Sequence, residues 1–139
     1  MVLEARNTNT EHINSADIGL IEVSNPAAKV STSPALNAPL IGWMSLDEVD
    51  LAHPTICRAG STRGVSCGNY LGRDADQGLF AFGNDSDRGD SGGPVYAVID
   101  DELYAVGVMS YVVDEPNNQE AGAMEIGNTM QHFGLTLYI

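Results

Sequence analysis

The sequence predicts an all-β fold, and three observations support this. First, 43% of the 139 residues are hydrophobic, which is enough for one core, and only 6% are aromatic. Second, the apolar runs are short and are interrupted by Gly, Pro, Asn and Asp, the residues that end strands and form turns. Third, there are 15 glycines, which suits frequent tight turns. No apolar run approaches about 18 residues, so we predict no membrane-spanning segment and no membrane partner.

The formal net charge is −13. A surface this acidic repels phosphate backbones, so nucleic acid is not expected as a partner. The charge favours solubility and would attract cationic substrates. A solvated acidic surface without any partner is the simpler explanation for most of it.

Residues 1–14 are polar and show no hydrophobic periodicity, which predicts a loop or disorder. They also lack the apolar run of a signal peptide. From Ile18 to Val23 the composition predicts a strand, which directly follows Asp17. An aspartate in front of a buried strand is usually a turn or cap residue. Alternatively, it is a carboxylate held at the edge of the core.

Residues 24–39 are rich in Ser, Pro, Ala and Asn, which predicts a linker running over the surface. Residues 40–44 contain the only tryptophan and predict a short strand. Ser45 and Glu48 have the spacing of a capping box, so we expect one helical turn that ends at His53.

The only two cysteines, Cys57 and Cys67, stand ten positions apart around a Gly-rich stretch. Two cysteines without a nearby His or Asp do not form a zinc site. The spacing instead predicts a β-hairpin closed by a disulfide. Such a short closed loop stabilises the fold by roughly 2–3 kcal/mol. A disulfide also implies an oxidising compartment.

The remaining chain predicts further strands and turns. These are a strand and turn in 69–83 with an apolar centre at 79–82, a hairpin of 94–100 and 103–113, a polar loop at 114–120, a short strand at 123–126, a helical turn at 129–133 and a last strand at 135–138.

The hexapeptide that begins at Gly89 and ends at Pro94 carries the strongest chemical signal. Its glycines allow φ > 0 and a tight turn, which exposes the hydroxyl of Ser91. The backbone N–H groups of Gly89 and Ser91 can then point at one spot, as an oxyanion hole requires. A Gly-rich hairpin turn is the simpler alternative, but an apolar strand after all six residues favours the nucleophile.

This hexapeptide is the signature of chymotrypsin-like serine proteases, and the chain resembles that family over about residues 17–138. Residues 57–68 resemble the Cys-Arg-x-Gly-x-Thr-x-Gly-x-x-Cys-Gly hairpin of the bacterial streptogrisin and α-lytic branch. Residues 129–138 resemble the streptogrisin C-terminus. The resemblance implies a complete C-terminal trypsin-like antiparallel β-barrel of six strands in residues 40–139. Residues 1–39 would be a remnant of the N-terminal barrel and the linker between the barrels.

The resemblance also implies a function, namely an extracellular serine endopeptidase that hydrolyses peptide bonds through an acyl-enzyme on Ser91. Asp17 would be the orienting carboxylate, and Gly89 and Ser91 the oxyanion donors. Asp90 would be buried and paired. Peptides or proteins would be the substrates, no metal or organic cofactor is implied, and we expect a monomer.

Three further residues match the substrate-binding positions of the family. Asp85 stands six residues before Ser91, where an aspartate at the base of the primary pocket selects Arg or Lys. Alternatively, Asp85 is one exposed acid in an acidic loop. Ser110 and Tyr111 match the strand that pairs with the substrate backbone and forms a wall of the pocket.

The catalytic histidine of the family has no match, because no Thr-Ala-Ala-His-Cys-like segment precedes Asp17. The histidines present are His12, on the polar lead-in, and His53 and His132, for which a surface or packing role is usual. We therefore expect this chain to be inactive as it stands, and we hypothesise a truncated gene product or a misplaced start codon. The alternative function is a non-catalytic, protease-like module that binds peptides by strand addition.

Overall fold

The structure is a computed structural model that describes residues 3–7, 18–27, 29, 36–60, 64–74, 78–83, 92–115 and 118–137. The elements in chain order are β1 (Leu3–Asn7), β2 (Gly19–Val23), β3 (Leu40–Trp43), α1 (Leu46–Ala52), β4 (Thr55–Gly60), β5 (Gly64–Asp74), β6 (Leu79–Gly83), β7 (Pro94–Ile99), β8 (Glu102–Glu115), β9 (Asn118–Glu125) and α2 (Gly127–His132).

Six of these strands close into an antiparallel barrel in the order β4-β5-β6-β9-β8-β7, with β7 pairing back to β4. Closure comes from the β6–β9 and β8–β9 pairings, which join the two halves of the ring. Strand β3 runs parallel to β8 outside this ring. The predicted all-β fold with a six-stranded antiparallel barrel is therefore confirmed.

Alternation of side chains along the strands builds the core, since successive residues face opposite sides of a sheet. In β6, Phe80 and Phe82 are buried and the intervening Ala81 is half-buried. The helix α1 contributes Leu46 and Val49 to the same cluster. Other fully buried side chains include those of Ile56, Leu103, Val95 and Val106.

The capping box predicted at the start of α1 is present. The backbone N–H of Glu48 donates to Oγ of Ser45 over 3.2 Å, and the Glu48 carboxylate accepts from the Ser45 N–H over 3.3 Å. Seven residues are helical, more than the single turn predicted, because Leu46 and Val49 bury against the core. His53 ends the helix in the left-handed conformation with φ 48°.

Two segments predicted as loops are strands. Residues 3–7 form β1, which pairs antiparallel with β2. The predicted loop at 114–120 is instead where β8 ends and β9 begins, and β9 extends well before the predicted start at 123. The sequence signal was wrong in both places because a partner strand satisfies the backbone hydrogen bonds whatever the side-chain polarity.

The last predicted strand is also wrong. Residues 135–137 form neither strand nor helix, and Tyr138 lies outside the described residues. The N–H of Leu135 instead donates to the Met130 carbonyl over 2.8 Å, and Gly134 has φ 59°. This is the Schellman arrangement that ends a helix at a glycine. The predicted turn at 129–133 belongs to α2.

Candidate functional site

The end of the Gly89–Pro94 hexapeptide is fixed against β8. The Gly92 N–H donates to the Met109 carbonyl over 2.9 Å, and the Met109 N–H donates to the Gly93 carbonyl, also over 2.9 Å. Gly92 has φ 83°, a conformation that favours glycine. Asp85, Gly89, Asp90 and Ser91 lie among residues 84–91, outside the described part, so their predicted roles remain predictions.

Gly83 is the last described residue before the 84–91 segment, and Gly92 is the first described residue after it. Each of these glycines is bonded to one strand of the pair β8 and β9. Gly83 pairs with Glu120 of β9, and Gly92 is bonded to Met109 of β8. Strands β8 and β9 pair with each other from Gly107 to Glu115. The predicted substrate-binding residues Ser110 and Tyr111 belong to this two-stranded arm, so they lie next to the point where the hexapeptide enters β7.

The Ser110 position is irregular, because the β8–β9 register shifts between Met109 and Tyr111. Such bulges re-aim side chains. The Tyr111 ring lies over Gly122, where an added Cβ would stand 1.8 Å from Cε1 of the ring. Its hydroxyl donates to Oε1 of Glu120 over 3.4 Å. Burial, followed by the nearby Glu120 carboxylate, raises the pKa of Tyr111, which keeps the hydroxyl protonated.

Tyr111 and Glu120 line a cleft of about 670 Å³ on the barrel surface. This volume is within the usual range of small-molecule and side-chain binding sites. Seven more residues from β5 and β6 line it: Leu71, Gly72, Arg73, Asp74, Leu79, Phe80 and Ala81.

The predicted disulfide is confirmed. Cys57 of β4 and Cys67 of β5 stand directly opposite each other, with Cα atoms 4.0 Å apart. The Cys57–Gly68 hairpin motif ends at Gly68, and the structure explains why this residue is a glycine. A Cβ at Gly68 would lie 1.5 Å from the carbonyl oxygen of Gly83, the last described residue before the 84–91 segment.

Arg58 is a candidate functional residue that the sequence pattern alone did not reveal. Its residue is 0% exposed, and its Nη1 donates to the Gly64 carbonyl over 3.2 Å. It stands opposite Val95 of β7, two residues after Gly93. A buried guanidinium is stable only with compensating charge or hydrogen bonds. The available signal was an arginine inside an otherwise apolar strand, directly after Cys57.

The two histidines in the described part lie at the protein surface. His53 is exposed at the end of α1, and its ring meets Tyr70 edge-on with centroids 5.0 Å apart. His132 is exposed in α2, with its ring 4.7 Å from that of Phe133. His12 and Asp17 lie outside the described residues, so no catalytic base and no orienting carboxylate can be placed here.

A buried carboxylate occupies the junction of β9 and α2. Glu125 is 6% exposed, and both its oxygens accept from the Asn128 N–H at 3.2 Å. Burial raises the pKa of Glu125, and the backbone hydrogen bonds from Asn128 and Gly127 oppose this. Gly127 makes room for the carboxylate, because a Cβ there would stand 2.9 Å from Oε2.

Among the described residues, no group of three or more His, Cys, Asp or Glu side chains is arranged to hold a metal ion. Neither α1 nor α2, the helices in the described ranges, is long and apolar enough to cross a membrane.

Comparison with known proteins shows the fold. No protein-family model matches the sequence, and neither does any curated protein. A chymotrypsin from Cellulomonas bogoriensis is similar in structure, with a TM-score of 0.54 and 22% identity over 73% of this chain. A glutamic-acid-specific serine protease, described as using a novel histidine triad in substrate binding, has a TM-score of 0.67 and 18% identity over 89% of this chain.

A catalytically inactive tobacco etch virus protease complexed with substrate is also similar, with a TM-score of 0.52 and 15% identity over 85% of this chain. The chain spans 56% of the chymotrypsin, 68% of the glutamic-acid-specific protease and 52% of the viral protease. The chain therefore has the chymotrypsin-like fold.

Proposed function

We propose that this chain is the nucleophile-bearing part of a serine endopeptidase of the streptogrisin type. The observation that carries the proposal is the pair of hydrogen bonds between Met109 and the Gly92–Gly93 turn. They hold the end of the hexapeptide beside Ser110, so Ser91, the next residue outward, would open onto the β8–β9 arm.

The proposed reaction is acyl transfer. The Ser91 hydroxyl would attack the peptide carbonyl carbon while a base takes its proton, and the Gly89 and Ser91 N–H groups would stabilise the oxyanion. Collapse would expel the amine, and water would then hydrolyse the ester. Asp17 would orient the base, and Asp85, Ser110 and Tyr111 would bind the substrate.

Arg58 supports this proposal, because it lies in β4 opposite Val95, which is close in the chain to the hexapeptide. A fully buried guanidinium beside Val95 requires an anion or several acceptors nearby. We propose Asp90 as that anion, because it belongs to the hexapeptide and a carboxylate buried there would be unfavourable without a cation. The pair would hold the peptide groups of Gly89 and Ser91 in one orientation.

The proposed setting is extracellular, because the Cys57–Cys67 disulfide is stable in oxidising compartments. We propose a monomer that acts on peptides or proteins. Without a catalytic histidine, the chain would have almost no peptidase activity, since loss of one triad member lowers kcat by several orders of magnitude.

A second candidate function is a non-catalytic peptide-binding module. One observation favours it: of the described strands, only β9 pairs with residues 111–115 of β8. The opposite edge of that arm is suited to an added peptide strand.

Fluorophosphonate labelling followed by mass spectrometry separates these functions. We expect a slow adduct at Ser91, accelerated by added imidazole acting as an external base, and abolished in Ser91→Ala. The matched control Ser66→Ala, on the hairpin, should label like the wild type. Absence of a Ser91 adduct even with imidazole would refute the peptidase assignment and favour the binding module. Fast labelling without imidazole would refute the inactive state, and His12, His53 and His132 variants would then identify the base.

A further inference from the structure

Two small residues in register, Gly72 of β5 and Ala81 of β6, line the cleft beside Tyr111. Gly72 pairs with Ala81, and Ala81 pairs with Gly122 on the next strand. Beyond them Tyr111 pairs with Gly122, and its ring stands over that glycine as an end wall. Leu71, which is 57% exposed, also lines the cleft and supplies apolar surface. The cleft is therefore a trough with an aromatic wall.

Carboxylates outnumber cations at this trough, since Asp74, Glu120 and Arg73 are its charged lining residues. Glu120 is half-buried and accepts the Tyr111 hydroxyl over a long 3.4 Å contact, so its carboxylate retains acceptor positions. Asp74 is close enough to add to the rise in the Tyr111 pKa. Arg73 also lines the trough, and its guanidinium binds two acids of α1, Asp47 at 2.5 Å and Asp50 at 3.7 Å.

We propose that this cleft binds an arginine side chain of a peptide or protein. The guanidinium would stack on the Tyr111 ring and donate to the Glu120 carboxylate, while its methylene stem lies against Leu71. A planar cation suits both partners at once, which a compact ammonium does not. The site uses described residues only. It shares Tyr111 with the proposed substrate-binding residues but requires neither Ser91 nor Asp85, so it goes beyond the proposed hydrolysis.

The test is a titration of the 139-residue chain, with the amide signals of Gly72, Ala81 and Gly122 followed by NMR. The probe is Nα-acetyl-arginine methylamide, and its neutral isostere, the citrulline derivative, is the matched control. We expect saturable chemical-shift changes with the arginine derivative. The citrulline derivative should bind at least about tenfold more weakly than the arginine derivative, because the charge-assisted hydrogen bond is lost. The lysine derivative should bind more weakly than arginine.

Variants locate the site. Glu120→Gln should weaken arginine binding about tenfold, whereas Glu102→Gln, an equal change of charge at the first residue of β8, should leave it unchanged. Tyr111→Phe keeps the ring and should bind within about twofold of the wild type, and Tyr111→Leu should bind about threefold or more weakly.

Three results would overturn the proposal: equal affinity for arginine and citrulline, equal weakening by Glu120→Gln and Glu102→Gln, or no saturable shift in the trough. The proposed hydrolysis is tested independently of this cleft. A missing Ser91 adduct leaves the cleft intact, and failure of arginine binding leaves imidazole-assisted labelling of Ser91 unaffected.

Discussion

Substitution of Gly68 by alanine tests the contact that joins the disulfide hairpin to the nucleophile segment. The new Cβ would stand 1.5 Å from the Gly83 carbonyl oxygen, whereas contacts under 3.0 Å essentially never occur. The obstacle is backbone, so no side-chain rotation relieves it, and β5 and β6 would have to move apart. Overpacking of this kind costs about 3 kcal/mol or more, a large part of the roughly 5–15 kcal/mol that stabilises a domain.

Two glycines provide the controls for Gly68→Ala. At Gly42 nothing lies within 4 Å of an added Cβ, so Gly42→Ala should leave stability unchanged or raise it by less than about 1 kcal/mol. At Gly122 the obstacle is the half-exposed Tyr111 ring, which can rotate away.

Urea unfolding followed by the fluorescence of Trp43 measures all three variants. The expected order of destabilisation is Gly68→Ala, then Gly122→Ala, then Gly42→Ala. Gly68→Ala should also slow the labelling of Ser91, because Gly83 directly precedes residues 84–91. If Gly68→Ala unfolds within about 1 kcal/mol of Gly42→Ala, the close β5–β6 contact is not present in solution and the reasoning is refuted.

Further predictions concern two buried charged side chains and the disulfide. Arg58→Met should destabilise the fold by about 3 kcal/mol in urea unfolding, and adding Asp90→Asn should recover part of this loss; additive effects of the two changes would rule out the pair. Because burial raises the pKa of Glu125 above its ordinary 4.5, its stabilisation is complete below that value and is lost as the pH rises through the raised pKa. Glu125→Gln should therefore match the wild type at pH 4 and exceed it at pH 7 in thermal unfolding, and a less stable variant at pH 7 would show that the Asn128 hydrogen bond outweighs burial. Replacing Cys57 and Cys67 together by alanine should lower the free energy of unfolding by about 2–3 kcal/mol, and an unchanged urea midpoint would contradict this.

The sequence determined the features that depend on residues close together in the chain. The capping box joins Ser45 to Glu48, three positions apart, and the disulfide joins two residues of one hairpin. Spacing alone specifies such contacts, because few backbone conformations connect the partners. The all-β class followed in the same way from short apolar runs and turn residues.

Tertiary structure decided what depends on the register between distant strands. The sequence does not show that β6 closes the barrel on β9, that Met109 holds the Gly92–Gly93 turn, or that the Tyr111 ring covers Gly122. Because side chains alternate between faces, a shift of one residue in register would move the Tyr111 ring to the opposite face of the sheet. The same shift would change which backbone groups meet in the other two contacts. The burial of Arg58 is of the same kind, since it lies in β4 between β5 and β7, and β7 is distant from β4 in the sequence.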